Sequence, residues 1–187
     1  MTDILASQVS NAVAKLSHVM TSHEVLRLVS FGSNFAGNTS AINIAAGLSN
    51  MGKKVVIVDL IAANHLLRNT LNINPSYFLE EYLRSGASSK VNNLIVKTKI
   101  KNLSVISTEV QYEDINELNS LLEILHCSFD YVVISESYLD GKLTSQVNLK
   151  APHYSVLTID RVKAVKRRFV RFLNKIDFSF DGYIIVK

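Results

Sequence analysis

The chain has a single cysteine, Cys127, among its 187 residues, so no internal disulfide bond can form. Because disulfides persist in oxidising compartments, one cysteine favours a reducing compartment, and we expect a cytoplasmic protein. No segment approaches the roughly 18 uninterrupted apolar residues of a membrane span. The N-terminus lacks the charged flank and apolar run of a signal peptide. Contact with the membrane is therefore expected only as peripheral association at its inner face.

Metal-ligand patterns and a strong charge imbalance are also missing. The five histidines show no ligand spacing, and with one cysteine we expect no metal site. Lys and Arg total 20 against 16 Asp and Glu, a net charge of +4. This mild excess permits an acidic partner but does not require nucleic acid, and none is expected as a partner. With 48% apolar and 19% charged residues, the composition is that of a globular domain.

Short apolar runs alternate with helical patterns along the chain. Segments 25–31, 54–59, 103–107, 131–135, 154–159 and 183–186 are predicted strands. Segments 39–50, 77–84, 113–126 and 161–175 are predicted helices, and 94–96 is a predicted short edge strand. This alternation indicates an α/β fold with a doubly wound, mainly parallel sheet flanked by helices in three layers. Residues 1–24 are predicted to form a helical lead-in, and residues 25–187 a single domain.

The loop after the first strand is the first place to look for a ligand site, because sheets of this kind bind ligands beyond the carboxyl ends of their strands. Residues 33–37 are small and polar and are predicted to be loop. A phosphate loop needs glycines, so that backbone N–H groups can surround the phosphates, then a lysine and a Ser or Thr hydroxyl. Gly32, Gly37, Asn38 and Thr39 fit this spacing, except that Asn38 stands where the lysine belongs.

In order and spacing, these segments resemble the MinD/ParA-type ATPases, and most of all the bacterial tyrosine kinases of capsule and exopolysaccharide synthesis. Ser30, Asn43 and residues 52–59 are similar to the first βαβ unit of that family. Residues 129–134 are similar to its Walker B strand, and residues 181–186 to a late strand. The resemblance covers almost the whole chain. It implies a P-loop NTPase-like fold, ATP and Mg²⁺ as the cofactors of an active member, and protein partners.

The loop can be aligned with that family in two registers. Without a gap between Asn43 and Asp59, Gly37 takes the lysine position and Asn38 the hydroxyl position. With a gap of one residue, Asn38 replaces the lysine and Thr39 keeps the hydroxyl. Both registers lack the lysine.

The family's acidic groups are also largely missing. Asp59 is present, but Ile61 and Ala62 follow it where acidic and polar groups belong, and Ser135 stands at the Walker B aspartate. Glu136 is adjacent, but successive strand residues point to opposite faces of a sheet. The expected vestigial nucleotide-binding residues are Gly32, Ser33, Asn34, Gly37, Asn38, Thr39, Asp59 and Ser135.

These losses predict a catalytically inactive pseudo-kinase or pseudo-ATPase with no catalytic residues and no cofactor. Its expected role is binding or regulation in bacterial capsular or exopolysaccharide synthesis or export. The expected partner is a cytoplasmic segment of a membrane polysaccharide-export protein, an active paralogue or a further copy of the chain. Two alternatives stay open. One is an active ATPase or tyrosine kinase whose ATP and Mg²⁺ are held by Asn38, Thr39, Glu136 and Asp140. The other is a MinD/ParA-like positioning or secretion adaptor.

Two surfaces are candidates for partner binding. The first is the basic face of the predicted helix 161–175, which includes Arg161, Arg167, Arg168 and Arg171. The second is an apolar rim around Phe35 and residues 62–67. Phe35 is unusual in a phosphate loop, and we expect it either to pack over the vacant site or to form part of a contact surface.

Overall fold

The computed structural model describes residues 2–20, 24–61, 65–85, 91–110, 116–139, 142–143, 149–150, 153–160, 166–174, 176 and 179–186. The helices in this part of the chain are α1 (Thr2–Val19), α2 (Asn34–Asn50), α3 (Leu66–Leu71), α4 (Leu79–Ser85), α5 (Val91–Leu94), α6 (Asn116–Ser128) and α7 (Lys166–Leu173). The strands are β1 (Glu24–Phe31), β2 (Val55–Asp59), β3 (Val96–Lys97), β4 (Leu103–Ile106), β5 (Tyr131–Leu139), β6 (Lys142–Leu143), β7 (His153–Asp160) and β8 (Gly182–Val186). None of these helices is long and apolar enough to span a bilayer.

All described strands join one sheet, in the order β3-β4-β2-β5-β1-β7-β8, with β6 paired to β5. The pairs β2–β4, β2–β5, β1–β5, β1–β7 and β7–β8 are parallel. Only β3 and β6 pair antiparallel to their neighbours. Described helices lie between β1 and β2, between β2 and β4, between β4 and β5, and between β7 and β8. The strands that follow β1 in the chain lie on both sides of it in the sheet. The predicted doubly wound, mainly parallel α/β fold is confirmed.

Helices cover both faces of the sheet because its central strands are apolar on both sides. On the first face, α1, α2 and α3 pack against alternate residues of β1, β2 and β5, which include Leu28, Ile57 and Val133. On the second face, α4, α5 and α6 pack against the intervening residues, which include Val58 and Ile134. At the β1–β7 side of this second face, α7 buries Phe172 against Phe31, Val29 and Leu157. We call these the α2 face and the α7 face.

Several predicted boundaries shift in the structure. Residues 33–37, predicted to be loop, belong mostly to α2, which begins at Asn34 rather than at Thr39. The short edge strand lies at 96–97 instead of 94–96, because α5 occupies 91–94. The first part of the predicted helix 161–175 lies outside the described residues, and α7 accounts for 166–173.

Candidate functional site

Two of the predicted site residues, Asp59 and Ser135, come together on neighbouring strands. Asp59 ends β2 and lies opposite Ser135 of β5, while Ser30 of β1 lies opposite Ser137 of the same strand. Side chains alternate between faces along a strand, so Asp59 shares the α2 face with Ile57, and Ser135 shares it with Val133. The start of α2 therefore lies over these polar groups.

The connection from β1 to α2 is much shorter than a phosphate loop. Only Gly32 and Ser33 separate Phe31 from Asn34. Gly32 has φ of 91°, a left-handed conformation that favours glycine, so the turn itself explains this residue. Ser33 is extended and precedes the helix, and the Gly37 N–H donates to its carbonyl at 3.4 Å. The prediction of a loop over 33–37 is wrong because this backbone is used in helical hydrogen bonds.

Packing against β1 explains the second glycine of the motif. A Cβ atom at Gly37 would lie 2.7 Å from both Cβ and Oγ of Ser30, far inside van der Waals contact. It would also lie 3.4 Å from Cδ1 of Ile61. Ile61, which is 2% exposed, thus occupies space beside the helix start where the family resemblance placed an acidic group. Both glycines have structural explanations that involve no phosphate.

Asn38 and Ser135 contact each other directly. Both side chains are fully buried, and the Ser135 hydroxyl donates to Oδ1 of Asn38 at 2.9 Å. The Nδ2 group of Asn38 and the Oγ of Ser30 are buried with no hydrogen-bond partner among the described residues. Two neutral side chains therefore meet here. Ser135 stands where the resemblance places the Walker B aspartate, and Asn38 stands at the lysine or the hydroxyl position, depending on the register.

The remaining residues of the first two turns of α2 differ in exposure. Ser33 is buried and Asn34 and Thr39 are half-buried, while Phe35 is 59% exposed. The high exposure of Phe35 at the start of α2 favours a surface position, and its part in a partner contact stays a prediction.

Asp59 is nearly enclosed, at 3% exposure. Its Oδ1 accepts a hydrogen bond from the Ile61 N–H at 3.0 Å, and its carbonyl accepts one from the Thr108 hydroxyl at 2.7 Å. Burial raises the pKa of the Asp59 carboxyl to about 7, against the opposing effects of the Ile61 N–H and the Arg68 charge. Near neutral pH this side chain is therefore only partly ionised.

Glu136 lies on the other face of the sheet. It is fully buried and accepts hydrogen bonds from Arg27, at 2.9 Å from Nη2 and 3.2 Å from Nε. Because successive strand residues point to opposite faces, Glu136 lies on the side of the sheet opposite the Asn38–Ser135 contact. Sequence reasoning missed Arg27, although a lone charge inside the apolar run of β1 was a visible signal for a buried partner.

The two predicted partner surfaces lie on opposite faces of the sheet. Arg167, Arg168 and Arg171 are exposed on α7, and Arg161 lies outside the described residues. Of the predicted rim around Phe35 and residues 62–67, Leu67 is fully buried, and 62–64 lie outside the described residues. The described part of the chain contains no cluster of three His, Cys, Asp or Glu residues that could hold a metal ion.

Arg68 of α3 provides a charged group near Asp59 that sequence reasoning also missed. Its guanidinium lies 5.1 Å from the ring centre of Phe78 and 3.8 Å from Oε1 of Glu109, and it donates to Nδ1 of His65. These contacts hold Arg68 at the edge of β2, where it partly offsets the effect of burial on Asp59.

No known family profile matches the chain. A curated relative is the virulence plasmid ParA family protein pGP5-D of Chlamydia psittaci, 25% identical over an alignment of 162 positions. The alignment covers 75% of this chain and 62% of the relative, so the chain spans less than two thirds of that protein.

Solved structures with the same fold include a kinase domain and MinD ATPases. The VpsO kinase domain matches with a TM-score of 0.73 at 17% identity, covering 100% of this chain and 97% of that one. The cell division ATPase MinD of Pyrococcus furiosus matches with a TM-score of 0.66 at 19% identity, covering 87% of this chain and 71% of that one. A MinD from Pyrococcus horikoshii in complex with Mg-ADP matches with a TM-score of 0.61 at 18% identity, covering 86% and 70% of the two chains. The chain thus has the fold shared by bacterial tyrosine kinase domains and MinD/ParA ATPases, and its sequence is similar to that of a ParA family protein.

Proposed function

We propose that this chain is a pseudo-ATPase that acts as a binding or regulatory protein without hydrolysing nucleotide. The observation that carries the proposal is the buried hydrogen bond between Asn38 and Ser135. Phosphoryl transfer depends on positioned positive charge around the phosphates and on carboxylates that hold Mg²⁺. Two neutral side chains paired with each other supply neither group.

The backbone around this contact fits ATP and Mg²⁺ poorly. A phosphate loop presents several free N–H groups in a wide turn, whereas α2 begins two residues after β1 and uses the Gly37 N–H within the helix. Among the described residues, Asp59 is the carboxylate on this face beside the contact, and its raised pKa leaves it partly neutral near pH 7. The alternative ligand Glu136 is engaged by Arg27 on the opposite face, and Asp140 lies outside the described residues. We therefore derive no catalytic step through bound nucleotide.

The cellular setting that we propose is bacterial capsular or exopolysaccharide synthesis or export. The partner would be a cytoplasmic segment of a membrane export protein or an active paralogue. The similarity in fold to the VpsO kinase domain over the full chain supports this setting.

A second candidate is a ParA-like adaptor in positioning or secretion, which the similarity to a ParA family protein favours. Both candidates require protein contacts and neither requires ATP turnover, so the chemical test below applies to both. The two settings are separated by the identity of the genes beside that of this protein, since an export operon and a plasmid partition locus differ.

The test is a calorimetric titration of the purified chain with ATP and Mg²⁺, together with a phosphate-release assay. We expect no binding heat and no turnover. The Asn38→Lys variant should remain inactive as well, because groups that act as a unit do not restore catalysis singly. An active kinase domain of the same fold, assayed in the same buffer, is the positive control. Turnover that Asp59→Ala abolishes, and that Glu123→Gln leaves unchanged, would refute the proposal.

A further inference from the structure

The β8 strand forms an open edge of the sheet. It is the last strand in the sheet order, and no other described strand pairs with its outer side. Its sequence, Gly182–Val186, contains no charge and no proline, the residues with which proteins usually block an exposed edge. Tyr183 is 73% exposed and Ile185 is 49% exposed. An apolar strand with an unpaired outer backbone is well suited to accept another strand.

A groove of about 750 Å³ borders this edge on the α2 face. Its apolar wall is formed by Leu16 and Val19 of α1 together with Val156 of β7 and Ile184 of β8. The opposite face of β8 is also open. Tyr183 and Ile185 pair in register with Leu157 and Ile159, which pack beside α7, and so they lie on the α7 face.

An added strand would use both of these faces. Alternate side chains of an extended segment point to opposite sides of a sheet. One set would enter the groove beside α1, and the other would contact Tyr183 and Ile185. This geometry calls for apolar residues on both sides of the incoming strand.

The charges around the edge determine which charge the two ends of the incoming segment should carry. Residues 161–175 contain seven Lys or Arg residues and no Asp or Glu, and Arg167, Arg168 and Arg171 are exposed on the α7 face. Lys15 lines the groove on the other face. Asp181, the acidic residue of the groove, accepts a hydrogen bond from the Ser155 N–H at 2.8 Å and is engaged at the start of the strand pair. On the α7 face the charge beside the edge is therefore positive, whereas in the groove Lys15 and Asp181 carry opposite charges.

The same charges disfavour a second copy of this chain as the occupant. Antiparallel pairing of two β8 edges about a two-fold axis would place both α7 helices on the same face of the joined sheet. Like-charged surfaces brought together in this way oppose association. An acidic partner has no such penalty and would be attracted from a distance.

We propose that the β8 edge binds an extended segment of a partner protein, apolar in its centre and acidic at its flanks, as an additional strand of the sheet. This inference rests on the proposed function only in that the chain works through protein contacts. The inference states the chemistry of the partner segment and places its binding surface away from Phe35. Calorimetry with ATP tests the nucleotide site independently, so either idea can fail alone.

The probe is a short fluorescent peptide whose centre alternates valine and isoleucine, with glutamates at both ends. Binding is followed by fluorescence anisotropy. One comparison peptide carries lysines in place of the glutamates, and another carries a central proline that removes a backbone donor. We expect the acidic peptide to bind at least about tenfold more tightly than either comparison peptide, a difference of about 1.4 kcal/mol. Its binding should weaken as salt is added.

Paired variants locate the binding site. Tyr183→Lys with Ile185→Lys should abolish binding, whereas Val110→Lys with Ile124→Lys, at apolar positions 47% and 40% exposed, should not. Reversal of Arg167, Arg168 and Arg171 to Glu should exchange the preference between the acidic and lysine peptides. Reversal of Lys97, Lys99 and Lys101, exposed on the other edge of the sheet, should leave it unchanged.

Three results would overturn the proposal. The first is failure of the acidic peptide to bind, and the second is equal binding by the proline peptide. The third is self-association, measured by sedimentation, that Tyr183→Lys abolishes, because the edge would then belong to a second copy of the chain. Circular dichroism of each variant establishes that the substitutions at these exposed positions leave the fold intact.

Discussion

Asn38 and Ser135 each provide the other's hydrogen-bond partner in a site that excludes water. Removing one side chain would leave a buried polar atom unsatisfied, which typically costs about 1–3 kcal/mol, whereas removing both is often milder. Ser135→Ala and Asn38→Ala should therefore each destabilise the protein, and the double variant should cost less than their sum. Urea unfolding of all four proteins measures this coupling, which we expect to be about 0.5–1.5 kcal/mol.

The exposed Ser128 supplies a matched control for this cycle, because its hydroxyl bonds only to the carbonyl of its own helix. Ser128→Ala should change stability by less than about 0.5 kcal/mol. Strict additivity of the Asn38 and Ser135 substitutions would contradict the direct interaction that underlies the proposed loss of catalysis.

Asp59 should make stability depend on pH. Its pKa is about 7 in the folded chain and near 3.8 in an exposed carboxyl. Below about pH 4 both states carry the proton, so the folded state is not penalised. Between these values the folded state binds more protons than the unfolded state, so stability falls as pH rises and levels off above about 7. The total loss is at most about 4 kcal/mol.

Asp59→Asn keeps an acceptor for the Ile61 N–H but cannot ionise. We expect the decline between about pH 4 and 7 to flatten in this variant, as measured by urea midpoints across the range. Glu123→Gln, at an exposed position, should keep the decline of the parent protein. The same pH dependence in Asp59→Asn as in the parent protein would contradict the raised pKa of Asp59.

At the residue scale, the sequence predicted which positions would converge but not how they would interact. Asp59 ends β2 and Ser135 lies in the neighbouring strand β5, so their meeting follows from the order of the strands. The sequence could not show why position 37 is a glycine, because a glycine that packs beside Ser30 and a glycine that packs beside a phosphate look the same in a sequence. The Arg27–Glu136 pair spans two strands, and only the register of the sheet reveals it.

At the scale of elements, α2 shows how tertiary packing overrides local signals. Gly, Asn and Ser favour loops and caps, and the run 32–40 is rich in them, so a loop over 33–37 was the natural prediction. The structure instead begins the helix at Asn34, because small residues let α2 approach β1 closely. The same small residues that imitate a phosphate loop thus serve close helix–strand packing.

Helix α7 docks through one aromatic contact surface. Phe172 is fully buried, with its ring centre 5.0 Å from that of Phe31 and 4.6 Å from that of Tyr138. Phe172→Ala should destabilise the protein by about 3–5 kcal/mol. Leu173→Ala is the matched control, since Leu173 is 42% exposed, and it should cost less than about 1 kcal/mol. Chemical unfolding of both variants tests this, and equal losses would mean that α7 packs through another face.

Helical spacing in this segment indicates an apolar stripe that includes Phe169, Phe172, Leu173 and Ile176, and the sheet covers only part of it. Phe169, Phe172 and Ile176 pack against the sheet as their spacing indicates, but Leu173 lies on the open side with Val170. Helical periodicity defines a stripe to within about one residue per turn. The position of the neighbouring strands decides which edge of that stripe is covered.

At the scale of the whole molecule, the sequence predicted the fold because the apolar strands, the helical patterns and their alternation all indicated the same architecture. Parallel strands that are apolar on both faces require helices on both sides, and right-handed crossovers restrict their order. The open edge at β8 and the groove beside α1 were not predictable, because they depend on which elements lie next to the last strand. The proposed partner surface thus comes from the assembled molecule and not from any motif.

Helix α1 is joined to the same core as the sheet, although the sequence predicted residues 1–24 only as a lead-in. Val13 and Met20 belong to the cluster that contains Leu28 and Val133. A Cβ atom at Gly47 of α2 would lie 2.7 Å from Cγ2 of Val13, so the two helices are in close contact. The Tyr154 hydroxyl donates to the carbonyl of Val19 at 3.1 Å and links the end of α1 to β7.

Unfolding should therefore occur in one transition that includes α1. Gly47→Leu would force α1 away from α2 and should lower stability by about 1–3 kcal/mol, while Val110→Ala, at an exposed position, should have little effect. Far-UV circular dichroism and tyrosine fluorescence should give coincident urea transitions in the parent protein. An earlier separate loss of helix signal would mean that α1 folds independently, and the groove beside β8 would then lack a fixed wall for the proposed partner segment.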